Sequence, residues 1–320
     1  MITFDLKTLP DWETLAQGKC ILQIVARAEN LIDSYKSDPI EFVPPDYLCF
    51  TAEEAGSTVA MAVNGTPTKG QAFEYSTDGT NWSVFTPGTT TITLTNVGNK
   101  VYFRGNNTTV SESSSVYYKF VMSGKIAASG NIMSLLDTTC KSTTISNKYC
   151  YYSMFRGCTS LTMAPALPAT TLATYCYYRM FSGCKSLTTA PALPATTLEN
   201  SCYYGMFYGC TTLATAPALP ATKLASSCYA GMFRGCTSLT TAPELPATTL
   251  EDGCYQSMFY GCTGLKISAT QTGEYTTAWR IPSTGEIAAE ATDWNTYMLN
   301  GTGGTFKGNP SINTTYYIAG

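Results

Sequence analysis

Cysteine is the residue in this chain with the most chemistry to offer, and its placement is regular. Cys150, Cys176, Cys202, Cys228 and Cys254 recur every 26 residues, and Cys158, Cys184, Cys210, Cys236 and Cys262 form a second series with the same period. Thiols can bind soft metals, cross-link, or fill a core. Zinc ligands cluster at spacings such as C-x2-C. Here the two cysteines of a unit are eight apart, and the chain has no histidine to complete a site. No metal and no cofactor is therefore expected. Stacked turns about 4.8 Å apart would bring equivalent cysteines within disulfide reach, so buried thiols and disulfides both stay open. The apolar neighbours favour small buried side chains. Cys20, Cys49 and Cys140 stand outside both series.

Other catalytic chemistry lacks its residues. Without histidine there is no imidazole base, and no G-x-S-x-G, phosphate-binding loop or H-E-x-x-H motif occurs. The acid pairs Glu53-Glu54 and Glu251-Asp252 fall in turn-like contexts and read as solvated. No catalytic residue is expected, and the chain does not read as an enzyme. Lys and Arg number 19 against 22 Asp and Glu, which leaves no basic excess for phosphates and argues against a nucleic-acid partner. No apolar run approaches the roughly eighteen residues of a membrane span, so no membrane insertion is expected. The first residues, MITFDLKTLPDWETLAQGK, lack a basic stretch followed by an apolar one, so no secretory signal is expected there.

The elements that position the cysteines are repeats. Each unit reads C-Y-x-x-M-F-x-G-C-x-x-L, then x-x-A-P-x-L-P-A-T-x-L and a short variable stretch. Such a unit buries its apolar face only by stacking on its neighbours. Apolar residues at i, i+4 and i+5 in C-Y-x-x-M-F predict a short helical or 3-10 turn, which the following glycine ends. L-T-x-A reads as a short strand, and the two prolines force an extended corner.

The stretch M-F-x-G-C-x-S-L-T resembles the A-F-x-G-C-x-S-L-T core of BspA-type leucine-rich repeats. The resemblance covers about Ile132 to Leu265 and implies a leucine-rich-repeat-type solenoid. The 26-residue length and the A-P-x-L-P-A-T corner depart from the family. Residues 131–265 are assigned to this solenoid, with 131–149 as its N-terminal cap. Residues 266–320 form a degenerate last repeat and a C-terminal cap, because Trp294, Met298, Leu299 and Gly301 reproduce the spacing of Cys254, Met258, Phe259 and Gly261. The closing TTYYIAG reads as a strand.

Residues 1–46 carry twelve charges against nine in 150–265, so the composition changes sharply between regions. ITFDL, CILQIVARA and PIEFV are strand-like. L-x-x-G-x-x-x-L-Q-I-V-A-x-A with S-x-x-S-D-P-I-E-F is similar to the closing strands of fibronectin type III or immunoglobulin-like modules, and 1–46 reads as part of one. Residues 47–130 read as a small β-sandwich, with a hairpin signal in AFEYSTDGTNWSVF. The fold class is thus mainly β with short helical turns.

Against a near-invariant frame, three positions of the unit vary. Two after the first cysteine stand Tyr152, Tyr178, Tyr204, Ala230 and Gln256; three after it, Ser153, Arg179, Gly205, Gly231 and Ser257. Before Gly-Cys stand Arg156, Ser182, Tyr208, Arg234 and Tyr260. Tyr, Arg, Ser and Gly on a stiff scaffold is the composition of a binding surface, and also of solvent-facing positions free to vary. The candidate ligand-binding residues are Tyr152, Arg156, Tyr178, Arg179, Tyr204, Tyr208, Arg234 and Tyr260. Resemblance to BspA-type repeats implies adhesion at a bacterial surface. The fibronectin-like segment points to a phage fibre or receptor-binding protein in the virion. The expected partners are a bacterial surface glycan or protein, together with a homo-oligomer, such as a trimer, or other virion proteins. The alternatives are a structural virion spacer and the ectodomain of a secreted adhesin on the bacterial cell surface.

Overall fold

The structure, a computed structural model, describes residues 20–22, 40–42, 46–281, 286–287, 291 and 293–320. The chain divides into two compact units, Met1–Asp46 and Tyr47–Gly320. In the first, β1 (Cys20–Leu22) pairs antiparallel with β2 (Ile40–Phe42). These belong to the runs CILQIVARA and PIEFV; ITFDL lies outside the described residues.

The second unit is mainly β. It opens with β3 (Leu48–Ala52), β4 (Ser57–Asn64), β5 (Phe73–Ser76), β6 (Ser83–Phe85), β7 (Thr91–Leu94), β8 (Lys100–Gly105), β9 (Tyr117–Ser123) and β10 (Ile126–Ser129). One sheet runs β10-β3-β8-β5-β6 and the other β7-β4-β9. Alternation decides their faces: in β8, Val101, Phe103 and Gly105 are buried while Lys100, Tyr102 and Arg104 are not. Phe50 and Phe103 of one sheet meet Phe120 of the other edge-on, with centroids 4.8 and 5.3 Å apart, so the two sheets pack face to face. The hairpin expected in AFEYSTDGTNWSVF pairs Phe73 with Phe85. Its turn is held by the Asp78 carboxylate, which accepts the Thr80 and Asn81 N–H groups at 2.8 and 2.7 Å.

β10 also pairs parallel with β11 (Leu161–Met163), which belongs to the first repeat. The line continues as single parallel bridges, Met163 to Thr189 and Thr189 to Thr215. L-T-x-A therefore forms a strand only in the first unit. The prolines that follow deny the ladder further N–H donors, and the corner instead buries Leu167, Leu193, Leu219 and Leu245.

The C-Y-x-x-M-F segments are not helical. Among the described residues the only helix is a 3-10 turn, Ile132–Leu135. Within the segments the N–H groups alternate in their use. The Met154 and Arg156 N–H groups bond back three residues to Tyr151 and Ser153, whereas those of Tyr151, Ser153 and Phe155 donate to Cys176, Tyr178 and Met180 of the next turn. Every fourth residue has positive φ, as at Tyr149, Ser153 and Gly157, so a right-handed helix cannot propagate. The buried set Cys150, Tyr151, Met154, Phe155 and Cys158 accordingly repeats every four residues.

Stacking aligns equivalent residues. Phe155, Phe181, Phe207, Phe233 and Phe259 form a continuous ring stack with centroids 5.2–5.7 Å apart. Beside it, the thiols of Cys184, Cys210 and Cys236 donate at 3.1 Å to the carbonyls of Phe155, Phe181 and Phe207 in the preceding turn. None of the ten repeat cysteines is in a disulfide, and all are buried. The last turn is made by 293–301: the carbonyls of Trp294, Thr296, Met298 and Asn300 accept from Tyr255, Ser257, Phe259 and Gly261. β12 (Thr249–Leu250), at the end of the fourth unit, pairs in parallel with β15 (Glu286–Ile287), and beyond Leu265 lies a sheet of β13 (Ile267–Ser268), β16 (Thr315–Ala319) and β14 (Tyr275–Arg280). From β14, Trp279 meets Phe259 edge-on at 6.2 Å.

Candidate binding face

The three variable positions of the unit lie beside one another on the turn segments, and their backbone is fixed by the frame. Residues three after the first cysteine all have φ between 52 and 59°. Glycine adopts that conformation at no steric cost, which accounts for Gly205 and Gly231 conformationally. Arg179, Ser153 and Ser257 occupy the same strained position.

Tyr152, Tyr178 and Tyr204 form one row. Their centroids are 5.0 and 4.7 Å apart and their planes within 10° of parallel. All three are half-buried, and burial raises the hydroxyl pKa of Tyr152 and Tyr178. Mutual stacking covers the ring faces of Tyr178 on both sides. A ligand laid along the middle of the row therefore meets ring edges and hydroxyls. At one end Tyr117, from β9, meets Tyr152 edge-on at 5.2 Å. Alongside, Tyr149 stacks on Tyr175 at 5.0 Å, and each contacts the row edge-on. Sequence reasoning missed these three tyrosines. The period of 26 from Tyr149 to Tyr175 carried the signal for two of them; Tyr117 lies outside the repeat and carried none.

Arg179 sets its guanidinium 5.4 and 5.8 Å from the Tyr178 and Tyr204 ring centroids. In the next column Arg234 lies between the equivalent residues of the turns on either side, 5.7 Å from Tyr208 and 4.4 Å from Tyr260. Each such contact contributes on the order of 0.5–1 kcal/mol at an exposed site. Neither guanidinium pairs with a carboxylate among the described residues.

A depression of about 100 Å³ connects the two columns. It is bounded by Arg179, Tyr204, Tyr208 and Arg234, and its floor is Gly205, Ala230 and Gly231. Four of the eight expected site residues thus converge there. Tyr152 and Tyr178 extend from it as the row, Tyr260 flanks Arg234, and Arg156 is exposed nearer Tyr152. The floor glycines and Ala230, together with Gln256 and Ser257 at the far end, belong to the variable columns without having been singled out.

Among the described residues, no three His, Cys, Asp or Glu side chains come together as a metal site would need, and no helix is long and apolar enough to cross a membrane. No family model matches the sequence, and neither a curated protein nor a solved structure is significantly similar to it.

Proposed function

We propose that the chain is a non-enzymatic surface-binding protein, a bacteriophage fibre or receptor-binding protein whose repeat face recognises a bacterial surface ligand. In this reading residues 47–130 are a β-sandwich and the turns from 131 onward a capped solenoid of BspA type. The observation that carries it is the tyrosine row Tyr152–Tyr178–Tyr204 with Arg179 across its end. Tyrosine supplies large contact area with few rotamers to lose, and stacking removes even those before a ligand arrives. Residues 1–46 serve as the dock to other copies or other virion proteins, since among the described residues the β1–β2 pair has edges to cover.

The experiment is attachment of the purified protein to a panel of intact bacterial cells. Wild-type protein attaches saturably to some of them. A Tyr152→Ser, Tyr178→Ser, Tyr204→Ser variant, verified as folded by a cooperative melt, loses that attachment. A folded variant that attaches normally contradicts the reading. One observation favours the spacer alternative: the stacked phenylalanines run unbroken from the two-sheet region into the repeat, as a stiff rod requires. That alternative predicts no attachment by the isolated wild-type protein.

A further inference from the structure

The tyrosine row stops in mid-stack. Turns continue past Tyr204, but the next position in the column is Ala230 and the one after it Gln256. In the neighbouring column the side chains vanish at the same level, with Gly205 and Gly231. These truncations fall together in space, because Tyr204, Gly205, Ala230 and Gly231 line one depression.

We infer that this depression is a subsite for one carboxylate-bearing sugar ring, which takes the place of the absent fourth tyrosine against Tyr204. The inference rests on the repeat face being the binding surface, and it names the class of ligand that the face takes. The neighbouring rings stack at 4.7–5.0 Å, and Tyr204 is the last of them. Its second face therefore has Ala230 where a ring would otherwise lie. A pyranose offers an apolar C–H face to such a ring while its hydroxyls stay wet.

The charge of the subsite selects the acid. Arg179 and Arg234 are both at its wall, and neither has a carboxylate partner among the described residues. The Nε of Arg179 is enclosed and donates no hydrogen bond. That atom is covered by protein, so a ligand can meet only the rest of the guanidinium, and a planar carboxylate is the acceptor that a guanidinium pairs with best. Gly205 leaves room for Arg179 there: a Cβ on it would stand 3.2 Å from the Arg179 Cγ, so that side chain would have to shift by a few tenths of an ångström. At Gly231, by contrast, a Cβ would meet nothing within 4 Å, so the floor beneath the ligand ring is open.

The test is calorimetric titration of the full chain with hexuronate tetrasaccharides and with the same tetrasaccharides after reduction of their carboxyls to alcohols. The acid forms bind, and the reduced forms bind at least about tenfold more weakly, the loss of a charge-assisted hydrogen bond. Arg234→Gln loses the preference for the acid. Gly231→Arg fills the floor and abolishes binding, and its backbone is tolerated because Arg179 already sits at φ 52° in the equivalent place. Equal binding of acid and reduced forms, binding unchanged in both variants, or binding of neither form overturns the subsite. The two readings fail separately. If saccharides bind without regard to charge and the triple tyrosine variant loses them, the binding face stands and the carboxylate subsite falls. If that folded variant still attaches to cells, the binding face itself falls.

Discussion

Phe120, in β9 of the two-sheet region, lies face to face with Phe155 of the first repeat, centroids 5.3 Å apart and planes at 14°. It occupies the place a preceding turn would fill. Its N–H donates to the Met154 carbonyl as the Phe155 N–H donates to Met180. Its carbonyl accepts the Cys158 thiol at 3.1 Å, as that of Phe155 accepts Cys184. Ser111 likewise donates to Cys150 as Tyr151 donates to Cys176. The two-sheet region therefore supplies a ready-made rung on which the stack is built and covers its apolar end.

Phe120→Ala removes this rung's ring, which is 1% exposed and also meets Phe50 and Phe103. Loss of a buried phenylalanine costs about 3–5 kcal/mol. Chemical denaturation should show that loss. It should leave a single transition, since the sheets and the repeats share one apolar cluster and are also joined through β10–β11 and Ser111–Cys150. A variant that melts with the wild-type midpoint would contradict a packed Phe120–Phe155 contact.

The thiols give a pH signature. Burial pushes Cys158, Cys210, Cys254 and Cys262 up to about 12 and Cys150 up to about 11. An unfolded thiol ionises near about 8.5, so above that pH the unfolded chain holds fewer protons than the folded one. Stability is therefore full below about pH 8.5 and falls as pH rises toward 12, by about 1.4 kcal/mol per pH unit for each such thiol. Several acting together should unfold the protein within one to two units of that onset. Urea midpoints measured from pH 7 to 11 check the slope; a flat profile would contradict buried, protonated thiols. Alkylation at pH 7.5 should leave the ten repeat cysteines unreacted until denaturant is added.

Tyr178 and Arg156 separate a built surface from a merely exposed one. Tyr178 is stacked on both faces, whereas Arg156 is exposed and makes no ion pair or ring contact among the described residues. Tyr178→Ser should cost about 1–3 kcal/mol, two ring contacts plus buried area. Arg156→Ser should stay within about 0.5 kcal/mol. Thermal or urea melts of the two variants decide it.

Much of this was legible from spacing alone. Period 26 located the stacked columns, the alternation in AFEYSTDGTNWSVF located a hairpin, and Trp294 to Gly301 located a further turn. The conformation of the turn segment was not legible, because Cys150, Tyr151, Met154 and Phe155 fit a helical period of 3.6 about as well as the period of four they adopt. Only Cys158 and the recurrent positive φ at Ser153 and Gly157 separate the two, and a serine there gives no sign of a left-handed backbone. The depression was hidden for a different reason. It is made by what is missing at Gly205, Ala230 and Gly231, and reading a column for its largest residues overlooks where it empties.

In the proposed function the repeat face, at and beside the end of the tyrosine row, is what touches the target. Hydroxyl-radical footprinting of the protein on cells that it attaches to tests this most directly, because tyrosine and tryptophan side chains report their own solvent contact. Tyr204, Tyr208 and Tyr260 should be protected by attachment, with Tyr47 and Trp82 of the two-sheet region labelled as in the unattached protein. Protection of Tyr47 and Trp82 with Tyr204, Tyr208 and Tyr260 labelled unchanged would contradict the claim.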